Sequence, residues 1–133
     1  LRYAQDTLDI SDEMDPYLAE DQERYYADRA KDVLLAGKRG FNAALERDNL
    51  DALFFVGSMA NGMLAKAGHP SVTVPFGLVE NTAGDSAAYP DGFSPRPAPI
   101  GVTFSGEECS DPRLIGLAYA FEQLTKRRVP PEL

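Results

Sequence analysis

The chain predicts an α/β fold, a small mixed sheet of about three strands packed against helices. Three observations carry that prediction. Apolar residues from Tyr26 to Leu45 recur at helical spacing. Three short apolar or β-branched runs, Leu50–Phe55, Ser71–Val74 and Ile100–Ser105, read as strands. A second helical stripe, Leu114, Leu117, Ala118, Phe121 and Leu124, follows the last of them. Strands interspersed with helices predict a layered α/β arrangement. We expect one unit over residues 1–133: an acidic arm at 1–14, a helical part at 15–49, and an α/β segment at 50–133 with a loop at 80–99.

The arm has little apolar periodicity and reads as irregular. It opens an acidic run, Asp6 to Asp32, with few basic residues in it. An EF-hand loop would need a glycine turn that is missing, so the run reads as a solvated face. Asp15-Pro16 is a helix start, a capping residue before proline at the first helical position. The apolar face comprises Tyr26, Ala30, Val33, Leu34, Gly37, Phe41, Ala44 and Leu45. Asp28, Lys31, Asp32, Lys38 and Arg39 lie opposite. Gly37 and Gly40 suggest close approach to a neighbouring sheet, and Asn49 is a natural stop because asparagine tolerates left-handed backbone.

Leu50–Phe55 has no polar alternation, which predicts a central strand buried on both faces. Ser58 is placed to cap a helix from about Met59 to Ala67, ended by Gly68. Pro75 ends the Ser71–Val74 strand or marks an edge. Prolines 90, 95, 97 and 99 with Gly84 and Gly92 exclude regular structure from Glu80 to Pro99. That loop reads as a decorated surface connection, with a lid as the alternative. Ser110-Asp111-Pro112 starts the last helix and Pro130-Pro131 follows it.

Composition excludes several classes. A hydrophobic content of 44 % suits a chain with a core. No apolar run approaches the roughly 20 residues of a membrane span. A net charge of −8 repels phosphate backbones, so no nucleic-acid partner is expected. The one basic cluster, Lys126-Arg127-Arg128, is read as complementing a helix C-terminus. Cys109 is the only cysteine, so no internal disulfide forms. A cytoplasmic location is expected, and Cys109 reads as a structural or surface thiol.

Candidate chemistry is sparse. Ser58, at a strand-to-helix turn, is the nearest thing to a nucleophile. Lys66 lies eight residues on, more than two helical turns away. There is no glycine-rich nest and no second serine beside it, so Ser58 reads as a cap. His69, the single histidine, has no identifiable orienting acid and reads as structural. No metal ligand set and no cofactor motif are found.

Four stretches carry a family resemblance: Leu50-Asp51-Ala52-Leu53-Phe54-Phe55, Ala67-Gly68-His69-Pro70-Ser71-Val72-Thr73-Val74-Pro75, Pro99-Ile100-Gly101-Val102-Thr103-Phe104-Ser105-Gly106, and Leu117-Ala118-Tyr119-Ala120-Phe121-Glu122-Gln123. Their order and spacing resemble the C-terminal segment of the amidase signature family. The resemblance implies a place in a larger α/β/α sheet of an amide hydrolase. That family cleaves amides with two serines and a neutral lysine, and the stretches carrying them are not in this sequence. By position it implies that the turn Val56, Gly57, Ser58 and Met59 lines the acyl pocket. The family usually has proline then threonine where Val56 and Gly57 stand.

The resemblance and the start at Leu1 together predict a piece of a parent hydrolase, structural and pocket-lining, inactive alone. The implied partner is the rest of that parent or another copy of the chain. The alternatives are a stand-alone inactive interaction module, or a subunit completing a site on another chain.

Overall fold

The computed structural model describes residues 6–13, 15, 17–80, 92 and 96–130. Their order is α1 (Asp6–Glu13), α2 (Ala19–Asp32), a π-helical stretch (Val33–Phe41), α3 (Asn42–Asp48), β1 (Leu53–Val56), α4 (Asn61–Ala67), β2 (Ser71–Val79), β3 (Ala98–Ser105) and α5 (Asp111–Thr125). The helix–strand succession from α2 onward follows the expected one. The three strands form one sheet in the order β1-β3-β2. Both pairings are antiparallel, so the sheet is not mixed.

Residues 6–13 of the acidic arm are helical rather than irregular. Pro16 lies outside the described residues. Asp15 does not cap α2, because its Oδ1 accepts from the Tyr17 N–H at 2.9 Å in a turn ahead of the helix. The helix begins at Ala19 with Leu18 in the capping position. No residue of α2 is buried, so the predicted stripe is not inward at Tyr26 and Ala30. Nine residues from Val33 to Phe41 are π-helical, and the Asn42 N–H reaches back to the Gly37 carbonyl. An i→i+5 ladder turns side chains through a different angle from a 3.6 repeat. The predicted face nevertheless turns inward from Val33 on, with Val33, Phe41 and Ala44 half-buried and Gly37 and Leu45 buried. Gly37 faces Ala67 and His69 rather than the sheet, and Gly40 sits against the Leu35 carbonyl. Asn49 ends α3 in the left-handed region with φ 50°.

β1 is an edge strand, not a central one. Among the described residues it pairs with β3 alone, from Leu53 opposite Ser105 to Val56 opposite Val102. Its residues alternate between half-buried and exposed. The unbroken apolar run thus marks two apolar faces, of which these residues cover only one. β2 runs on through Pro75 to Val79, because a bulge between Pro75 and Gly77 lets the ladder resume. β3 starts at Ala98, so Ala98 and Pro99 leave the expected loop. Residues 81–91 and 93–95 of that loop lie outside the described set.

The two sheet faces differ. One packs under α5, where Val74, Val102 and Ala118 are buried, with Val72, Phe104 and Phe121 against them. Phe121 is the hub of an aromatic group, 5.5 Å from Phe104, 5.8 Å from Phe54 and 6.0 Å from Phe76. Such pairs add about 0.5–1.5 kcal/mol each beyond area burial. The other face carries Phe55 against Phe41 at 6.1 Å, and the buried hydroxyls of Thr103 and Ser105. Ser105 donates to the Pro70 carbonyl at 2.9 Å.

Pro112 stands in the first turn of α5 as expected. Ser110 does not cap through its side chain, since its Oγ donates to the Glu107 carbonyl at 2.6 Å. Lys126 is the left-handed C-cap. The basic cluster therefore lies past the helix rather than in its last turn, and Arg127 stacks on Phe76. No helix is long and apolar enough to cross a membrane among the described residues.

Candidate functional site

The turn of interest leaves the end of β1. Gly57 follows Val56 with φ 63°, a conformation glycine adopts without steric cost. Its N–H donates to the Gly101 carbonyl at 2.7 Å. Its carbonyl accepts from the Thr103 Oγ at 2.6 Å. β3 therefore grips the Gly57 peptide groups from two alternate positions. The Ser58 carbonyl accepts from the Asn61 N–H at 3.1 Å, which closes the turn into α4.

Val56 and Met59 point apolar side chains to solvent, Met59 at 85 % exposure. Ser58 is exposed as well. The helix begins at Asn61 with Ala60 in the capping position and no side-chain cap bond, so Ser58 is not the cap that the sequence predicts. The turn runs two residues longer than expected, which leaves the Ser58 hydroxyl out of reach of the helix's free N–H groups.

Lys66 does not serve Ser58. Its Nζ lies 3.2 Å from the Asp32 carboxylate, tying α4 to α2. The Arg29 guanidinium adds a bond to the Lys66 carbonyl. His69 is 7 % exposed and its Nδ1 lies 2.8 Å from the Gly106 carbonyl. A carbonyl only accepts, so Nδ1 carries the proton. Nε2 is buried without a partner among the described residues. Phe41 packs its ring 5.8 Å away. Cys109 is exposed and free. No three His, Cys, Asp or Glu side chains gather as a metal site among the described residues.

The sequence singles out Val56–Met59 but not the residues that hold them. Thr103 and Thr73 face each other across β3 and β2, with hydroxyls 2.8 Å apart. The available signal was a threonine between the apolar Val102 and Phe104.

Comparison with known proteins gives this geometry a setting. No family model matches the chain. A protein of Arabidopsis thaliana named "Probable amidase" is 35 % identical over 95 residues, which is 71 % of this chain. A "Putative amidase" of Arthroderma benhamiae is 37 % identical over 98 residues, 74 % of the chain. The crystal structure of a peptide amidase from Stenotrophomonas maltophilia superposes with a TM-score of 0.72 at 31 % identity.

The chain is a relative of amidase-type proteins.

It is much shorter than they are. The amidase-like chain spans 16 % and 17 % of the length of the two curated relatives. The structural match takes in 98 % of this chain and 25 % of the peptide amidase. The three-stranded sheet and its helices thus correspond to one part of an amidase-like fold.

Proposed function

We propose that this chain is the sheet-completing and pocket-lining part of an amidase-like hydrolase that cleaves carboxamides by serine acylation. The nucleophile and its lysine would stand outside these 133 residues. Nucleophilic hydrolysis needs a base beside the nucleophile and donors for the oxyanion. Ser58 has neither among the described residues, and Lys66 is held by Asp32. Residues Val56, Gly57, Ser58 and Met59 would form the acyl side of the pocket, with Val56 and Met59 as apolar walls.

One observation carries this reading: β1 has an open backbone edge beside apolar side chains that nothing covers among the described residues. Phe54 and Val56 are about half exposed. A groove of about 360 Å³ lies along the strand, bounded by Phe41, Ala44, Leu53, Phe55 and Met63. An edge strand without charge, proline or bulge is normally paired or covered in a native protein. Relatives of which this chain matches about one sixth supply a natural source for that cover. The exposed free thiol of Cys109 suits a reducing, cytoplasmic setting.

The test uses the purified chain and a set of carboxamide substrates. The expected result is no turnover above buffer, and no labelling of Ser58 by a serine-directed fluorophosphonate. Turnover that Ser58→Ala abolishes would overturn the proposal.

A further inference from the structure

Thr103 takes no part in the chemistry just proposed, yet it is 0 % exposed at the centre of β3. Burying a hydroxyl without partners is costly, and here every polar link is made. Thr103 has one hydroxyl hydrogen, which it gives to the Gly57 carbonyl. Thr73 must then be the donor in the contact between the two threonines. The chain of donation runs from Thr73 to Thr103 to Gly57.

The rest of the clamp depends on Gly101. A Cβ there would meet Thr73 Cγ2 at 2.7 Å and the Val74 carbonyl oxygen at 3.0 Å. A bare α-carbon lets the Thr73 side chain lie where its hydroxyl reaches Thr103. Gly101 also accepts the Gly57 N–H. Thr73, Gly101 and Thr103 therefore fix the two peptide groups of Gly57, which is in a left-handed conformation, at the root of the Val56–Met59 turn.

We infer that Thr103 is a positioning residue for acyl-group selectivity, an inference that rests on the proposed function of that turn. Thr103 touches no substrate. It acts through Gly57, whose fixed carbonyl sets where Val56 ends and where Met59 begins. Removing the hydroxyl leaves the backbone connected and the strand β-branched, but frees the turn to shift relative to β3.

The experiment compares wild type, Thr103→Val and Thr103→Ser in the protein as the cell makes it. The probes are straight-chain primary carboxamides from acetamide to hexanamide. Thr103→Val should raise KM about three- to tenfold, the worth of one hydrogen bond, with kcat within about twofold. It should also flatten the dependence on acyl length. Thr103→Ser keeps the donor and should return both toward wild type. Amide exchange at Gly57 should quicken in the valine variant only.

A role confined to stability would lower the active fraction, so Vmax would fall with KM and length preference unchanged. That result overturns the inference and leaves the proposed function standing. Absence of carboxamide turnover by the whole natural protein, as distinct from the purified 133-residue chain, would instead remove the proposed function, and this inference with it. Should Thr103→Val fail to fold, Thr73→Val removes only the outer donor. It must then shift KM in the same direction by a smaller factor, and an unchanged KM overturns the inference.

Discussion

Replacing Ile115 and Tyr119 together by lysine separates surface that is free from surface that needs cover. The two residues lie one turn apart on the outer side of α5, 59 % and 63 % exposed, while Leu114 and Ala118 face the sheet. Burying an aliphatic or aromatic side chain completely is worth about 1.5–3 kcal/mol. With roughly three-fifths of each side chain in water, covering both contributes about 2–4 kcal/mol. That is roughly thirty- to several-hundredfold in a dissociation constant. Lysine is a good helix former, and exposed substitutions usually change stability by no more than about 0.5 kcal/mol. At a concentration low enough to keep wild type monomeric, the isolated chain should therefore unfold at the same temperature with or without the two lysines, followed by far-UV circular dichroism. On the proposed function the cover would be the rest of the hydrolase, and in the isolated chain a second copy would stand in. Sedimentation velocity should show concentration-dependent association for wild type and its loss in the double variant. A wild type that stays monomeric at high concentration and binds no hydrophobic dye would refute the reasoning. So would a double variant that unfolds substantially earlier.

Other expectations follow from single residues. Leu114→Ala should cost about 2–5 kcal/mol in urea denaturation, because Leu114 is wholly buried and the site can collapse only in part. Gly57→Ala should cost about 1–2 kcal/mol from left-handed backbone alone, and Gly57→Asn less, measured the same way. Arg113→Gln, which removes the exposed ion pair to Asp51, should cost less than about 1 kcal/mol, with the difference fading as salt is added. The hydrogen bond from Arg47 holds the Asp48 carboxyl below the usual aspartate range. Its stabilisation is present above that range and lost as pH falls through the depressed midpoint. Arg47→Gln should move the Asp48 midpoint back upward in an NMR titration.

The sequence made the order of elements from α2 onward legible, together with two stops. Asn49 and Gly68 both end helices in left-handed conformations, and both are visible as residue types after a periodic stretch. The π-helical turn was not legible, because nothing in Val33–Phe41 differs in composition from an ordinary amphipathic helix. The edge position of β1 was hidden for a related reason. An apolar run looks the same whether its neighbours are present or absent, so Leu50–Phe55 predicts a central strand regardless. At the site, Val56–Met59 could be singled out from the family resemblance. The clamp could not, since Gly57, Thr73, Gly101 and Thr103 come together only through two strand registers and a bulge-free stretch of β2.

The two outer strands of the sheet are not equivalent. β2 carries Pro75, which has no N–H to offer, then a bulge, and the residues Arg127 and Val129 lie along it. β1 has none of these. Growth of the sheet is consequently one-sided. A longer hydrolase would have to add its next strand at β1, which gives assembly a direction. Two stray copies meeting there would each turn a blunted flank outward, so growth of the sheet by strand pairing would stop at a pair.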